Sequence, residues 1–195
     1  ELNGLGKAYS LKSIALGRLS KKEEELDYLL KAKAIYISLK DNEGLSHILT
    51  NLANCYSDIG QYQNGLNTLE EFQKLKLPSS NLDFYIEINY GGIYYSQNNI
   101  NEALLHFEKA VAVAHQYKML DSEITGITHL AECHQRLNNL NKAHAYYQDA
   151  LKLATENQLL VEEKDALKGI VDLYESEKNY NSAFFTLKRL KLIIG

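Results

Sequence analysis

Tryptophan is absent from this 195-residue chain, and proline occurs once, at Pro78. Proline lacks the amide that a helical ladder needs, so its scarcity leaves long stretches free to run as uninterrupted helix. Tyr supplies 14 and Phe 5 of the aromatic residues. Apolar contacts here therefore often carry a hydroxyl that must find a partner or reach water. No apolar run approaches the roughly 20 residues that span a bilayer, so no membrane insertion is expected. A net charge of -4 arises from 21 basic and 25 acidic residues scattered along the sequence. Nucleic-acid binders concentrate a basic stripe, and none is present. The two cysteines, Cys55 and Cys133, point to a reducing compartment, and a cytoplasmic location is expected. The chain opens on Glu1 and closes on Gly195 directly after an apolar run, as an excerpt of a longer protein would.

What is present is an ordinary soluble composition, 45% hydrophobic and 24% charged, long enough for one sizeable core or an elongated array of small units. Self-similarity decides between these. Ala103, Ala143 and Ala183 each open a segment with an aromatic or Leu four residues on: Phe107, Tyr147 and Leu187. Upstream of each stands a small or β-branched residue (Gly91, Ala131, Val171), followed three positions later by Tyr94, His134 or Tyr174. Ala53, Tyr56, Gly65 and Leu69 fill the same slots one unit earlier, and Ser13, Leu16, Leu29 and Ala32 form a fainter first copy. Apolar residues recur at three- and four-residue steps within each half, the period of a helix. Small residues belong where antiparallel helices approach. Gly60, Asn98-Asn99, Asn138-Asn139 and Lys178-Asn179 mark the turns between halves, since Gly and Asn best tolerate a left-handed helix end.

These slots resemble the tetratricopeptide repeat, most closely at Tyr90-Gly91-x-x-Tyr94 and at Ala103-x-x-x-Phe107-x-x-Ala110. The repeat's usual Trp and closing Pro are missing, and the period is about 40 rather than 34 residues, with the extra length falling late in the second helices (Val111–Met119, Leu151–Leu160). The resemblance implies an all-α, right-handed superhelical solenoid of five helix-turn-helix repeats, about 5–42, 44–79, 82–120, 122–160 and 162–195, forming a single domain. Long repeats of this kind are similar to those of bacterial signalling and regulatory proteins, of kinesin light chains and of cell-polarity adaptors.

Candidate chemistry is sparse. His129 and Cys133 share a helix face, but His134 points elsewhere and no second donor pair stands at zinc-site spacing, so no metal is expected. Gly4-x-Gly6-Lys7 lacks the spacing of a phosphate loop, and no Ser, His or Asp is marked as a nucleophile or its base. No catalytic residue and no cofactor are assigned. Gly92, in mid-helix, costs about 1 kcal/mol against Ala and either goes uncompensated or leaves room for a ligand.

The resemblance further implies a groove along the inner face of the first helices. Mapped onto this chain it takes Asn51, Asn54 and Asp58 from the second repeat, with His47 beside them. It takes Asn89 and Tyr95 (with Ile88) from the third, and His129, Glu132 and Arg136 from the fourth. Lys168 and Asp172 come from the fifth. A carboxamide both donates and accepts, so Asn51, Asn54 and Asn89 suit a peptide backbone of any sequence; the alternative is a merely solvated face. Two functions follow. One is a non-catalytic scaffold for a protein or peptide. The other is a ligand-sensing or dimerisation module of a multidomain bacterial signalling protein, such as a diguanylate cyclase, a histidine kinase or a peptide-responsive transcription regulator. The apolar last helix (Phe184, Phe185, Leu187, Leu190, Leu192) suits the second, with a homodimer formed through terminal helices.

Overall fold

The computed structural model describes residues 2–75, 77 and 80–194, the side chains of 80, 81 and 194 excepted. The lone proline and the 79 boundary of the second repeat lie outside the described residues. Among those residues there are ten helices and no strand. They are α1 Leu2–Arg18, α2 Lys22–Leu39, α3 Asn42–Asp58, α4 Tyr62–Lys74 and α5 Ser80–Ser96, then α6 Ile100–Gln116, α7 Leu120–Arg136, α8 Leu140–Glu156, α9 Leu160–Ser176 and α10 Tyr180–Ile194. The fold is all-helical and tetratricopeptide-like, and the chain divides into two compact units, Glu1–Asn99 and Ile100–Gly195.

One turn design joins the helices. At eight of the turns one residue at or just after the C-cap adopts a left-handed conformation: Ser20, Lys40, Gly60, Asn98, Lys118, Asn138, Gln158 and Lys178 all have φ between 54° and 75°. In the α9–α10 turn the Asn179 amide donates to the Tyr174 carbonyl at 2.8 Å and the Lys178 amide to Glu175 at 2.9 Å. This pair of bonds satisfies carbonyls that a helix end otherwise leaves open. The same two bonds recur at the other seven turns, for example Asn139 to His134 at 2.8 Å and Asp41 to Tyr36 at 3.0 Å. The residue closing one helix is also the N-cap of the next, so a turn of three residues, or two between α2 and α3, reverses the chain. Asp41 strengthens one such start, its carboxylate accepting from the Gly44 amide at 2.9 Å. The expected Gly and Asn turns are therefore only part of the set, since Lys40, Lys118 and Gln158 close second helices with the same geometry. Both helices of the fourth pair have 17 residues.

In the first unit the core is built from large side chains, with Leu29, Ile48, Leu49, Leu52 and Leu69 almost wholly buried beside Tyr36 and Phe72. The small slots are filled as their register demands: Ala53 is fully buried, and a Cβ on Gly65 would lie 3.0 Å from Ile93 Cδ1. In the second unit Ala131, Ala143, Ala150, Ala154 and Ala166 are fully buried around Tyr147, Ile124 and Leu173. There the hairpins interlock through two glycines. The Tyr147 ring of α8 lies against Gly169 of α9, where a Cβ would collide with Cε1, and Val111 of α6 sits where a Cβ on Gly126 would be.

Candidate binding surface

The small slots bury one side of each first helix and thereby fix which side stays open. Ala53 and Cys55 are buried while Asn54 between them is exposed. In the second unit, Ala131 and Cys133 flank the half-exposed Glu132, and Val171 and Leu173 flank the exposed Asp172. The open slot thus carries Asn54 on α3 and Gly92 on α5, which pack side by side. It carries Glu132 on α7 and Asp172 on α9, which do likewise. A Cβ at Gly92 would meet nothing within 4 Å, so no packing contact requires glycine there.

The three Asn candidates separate. Asn51 is half-buried and Asn54 exposed, and neither carboxamide is hydrogen-bonded among the described residues. Asn89 is only 6% exposed, and its Nδ2 donates to the Tyr85 carbonyl of its own helix at 2.5 Å. The register explains this: Asn51, Asn89, His129 and Gly169 share one slot, and in the second unit that slot lies under the preceding second helix. His129 stacks on Phe107 at 4.9 Å between ring centroids, as Gly169 receives Tyr147. Tyr85, one turn before Asn89 and 43% exposed, joins the open side and was missed by slot counting. An exposed Tyr at a helical step from Gly92 is the signal that would have found it.

Ion pairs hold several of the charged candidates. Asp58 meets Lys22 Nζ at 2.6 Å, and the bond to Asp58 chiefly raises the Lys22 pKa. His129 Nδ1 lies 2.8 Å from Glu132 Oε2, and Lys168 Nζ lies 3.1 Å from Asp165. Asp172 is exposed with no ion pair among the described residues, while Tyr95 and Arg136 each have partners of their own. Among the described residues no group of three or more His, Cys, Asp or Glu side chains could hold a metal ion, and no helix is long and apolar enough to cross a membrane.

Both thiols are free and buried. Burial pushes Cys55 up to about 11 and Cys133 up to about 12. Neither is a thiolate near neutral pH, the opposite of a nucleophile's environment. His134 is buried, its Nδ1 has no hydrogen-bond partner among the described residues, and burial lowers its pKa below 6.5.

Comparison with known proteins agrees with this geometry. Residues 83–156 match the tetratricopeptide repeat family. No match is found among curated proteins. Among solved structures, a Rap protein in complex with Competence and Sporulation Factor has 17% identity and a TM-score of 0.82 over 97% of this chain and 53% of its own. A signal transduction ATPase with numerous domains and a tetratricopeptide repeat sensor, from Pyrococcus horikoshii, shares 19% identity with a TM-score of 0.76 over 96% of this chain and 29% of its own. A putative kinesin light chain from Podosopora anserina with nearly identical repeats shares 15% at a TM-score of 0.70, over 96% of this chain and 93% of its own. The chain thus spans about half or less of the length of the first two. Residues 83–156 match tetratricopeptide repeats, and the described chain as a whole has the fold of tetratricopeptide-repeat proteins.

Proposed function

We propose that this chain is a non-catalytic scaffold that takes a protein segment or peptide on the open side of its first helices. The observation that carries the reading is the alternation on α3, α7 and α9, where one polar slot stays accessible between two buried neighbours. Asn51 and Asn54 add unpaired carboxamides, and Gly92 allows a backbone to approach closely. A Rap protein of the same fold is complexed with Competence and Sporulation Factor, which supports reading this fold as one that holds a partner. Free, protonated thiols suit a reducing compartment such as the cytoplasm. The test is a pull-down with the intact chain, then calorimetry of the captured partner against two variants. Asn54→Ala should lower affinity by about five- to a hundredfold with the melting temperature unchanged. Asn89→Ala should lower the melting temperature, because its carboxamide belongs to the packed helix. A partner that binds Asn54→Ala and Asp172→Ala as tightly as the parent would refute the assignment.

A second reading, a regulatory module that associates through its last helix, rests on α10. Leu187 occupies the slot of Leu29, Leu69, Phe107 and Tyr147, which are 0–2% exposed, yet Leu187 is 42% exposed. Tyr180 and Phe184, also exposed, extend the same patch. On this reading the chain forms a homodimer that Leu187→Glu dissociates, which sedimentation at several concentrations would register as a drop to monomer mass. A parent chain that sediments as a monomer throughout would dismiss the homodimer.

A further inference from the structure

Between α8 and α10, floored by α9, lies a cleft of about 290 Å³. It sits on the side of α9 opposite Lys168 and Asp172, so it is separate from the binding surface above. The repeat supplies an internal control. One period earlier, between α6 and α8 and over α7, the Tyr146 ring stacks on the His134 ring at 5.4 Å with 6° between planes. Forty residues on, His134 becomes Tyr174 and Tyr146 becomes Thr186. Thr186 turns its hydroxyl to the Ser182 carbonyl at 2.9 Å and is too small to reach across to Tyr174. The cleft is the place of a ring that the preceding hairpin has and this one lacks.

Its lining suits such a ring. Ile170 lines it from α9, Leu151 from α8 and the 67% exposed Phe185 from α10. Tyr174 presents a π-face already met on one side by His144, at 5.2 Å and tilted 50°. An apolar cavity of about 150 Å³ accommodates benzene, so the space is ample. The polar end is Arg189, whose Nη2 is engaged by Thr155 at 3.0 Å and Glu163 at 2.6 Å. Its Nε and Nη1 make no hydrogen bond among the described residues and remain available to an oxygen acceptor, as does the carboxamide of Gln148 at the rim.

We propose that this cleft binds an aromatic ring bearing an oxygen acceptor, with the ring stacked between Tyr174 and Phe185 in the position Tyr146 holds one repeat earlier. Two sources share this chemistry, a free aromatic acid and a tyrosine side chain presented by a peptide. The probes are 4-hydroxyphenylacetate and N-acetyl-tyrosinamide, each titrated to millimolar concentration into the whole chain and followed by methyl resonances. Ile170 and Leu151 should shift, while Ile127, which stands one repeat before the lining residue Leu167, should not. Tighter binding of the acid identifies a small aromatic acid as the ligand, and tighter binding of the amide identifies a peptide-borne ring. Thr186→Tyr should fill the cleft, weaken both probes by about tenfold or more and raise the melting temperature. Conversely, Tyr146→Thr should open a second site, adding probe-dependent shifts at Ile127. The proposal is overturned if neither probe moves Ile170 or Leu151, or if Thr186→Tyr binds both probes as tightly as the parent.

Discussion

The two units follow the same plan of helices and left-handed turns but fill it with different side chains. In residues 1–99 the space between helices is occupied by Leu29, Ile48, Leu49, Leu52, Leu69 and Phe72. In residues 100–195 Phe107, Ile124, Tyr147, Leu167 and Leu173 share that space with many more fully buried alanines, Ala103, Ala131, Ala143, Ala150 and Ala166 among them. A core of large side chains is sensitive to removal of atoms, because the surroundings collapse only partly into the gap. A core of small ones is sensitive to addition, because helices in contact cannot separate without losing the rest of their packing. The two weaknesses are therefore balanced differently in the two units, the second, richer in buried alanine, having more places where added atoms cost.

Truncation gives the largest expected effect. Leu69→Ala, at a fully buried site, should destabilise the first unit by about 2–5 kcal/mol. Urea denaturation followed by hydrogen exchange in each unit reads this directly. A loss well under 1 kcal/mol would mean that the first unit relaxes freely, and the contrast between units would not hold. Enlargement comes next. Ala143→Leu and Gly169→Ala should each cost the second unit about 1–3 kcal/mol, the glycine because its new methyl must displace the Tyr147 ring. An unchanged melting temperature for either would show that α8 and α9 are not held as described.

The difference between the units was only half legible in the sequence. Ten helices, their turns at Gly60, Asn98 and Asn138, and the buried slots of Ala53, Ala131 and Ala143 follow from one period, since residue type and position agree there. The left-handed residues Lys40, Lys118 and Gln158 gave no such sign, because their side chains have no preference for that conformation and the turn is imposed by the packed helices. Gly126 and Gly169 were not read as contacts because their partners, Val111 and Tyr147, meet them only when one hairpin stacks on the next. On the candidate surface the face of Asn54 could be counted out along the helix. Whether Asn89 would be covered depended on a neighbouring helix that its own segment does not specify. The cleft beside Thr186 was invisible for a related reason: a vacancy has no residue of its own.

A smaller effect, of opposite sign, is expected at Gly92. A Cβ there meets open space, and Ala is favoured over Gly in mid-helix by about 1 kcal/mol. Gly92→Ala should therefore raise the melting temperature of the first unit. If Gly92 is kept for close approach of a bound backbone, the same variant should bind the captured partner more weakly. Gain of stability with unchanged affinity would remove Gly92 from the binding surface while leaving Asn54 in place.

The smallest expected effect is a pH dependence confined to the second unit. At the slot where the first unit has Tyr56, the second has His134, stacked on Tyr146 with its Nδ1 buried and unpartnered. Burial lowers its pKa below 6.5, Lys142 on α8 lowers it further, and Glu108 on α6 opposes both. The neutral ring is therefore the folded form, and the unfolded chain takes up a proton more readily. Stability from this group is complete above pH 6.5 and declines as the pH falls below that value, until the folded ring protonates as well. The first unit has no buried imidazole at this slot and should show no matching decline. Hydrogen exchange at pH 7.5 and pH 5.5 separates the two: protection of α7 and α8 should fall more than that of α3 and α4. His134→Tyr, which restores the residue type of the first unit, should flatten the difference. An equal fall in both units would assign the acid sensitivity to groups the units share, and an unflattened difference in the variant would assign it to other residues of the second unit rather than to the buried imidazole.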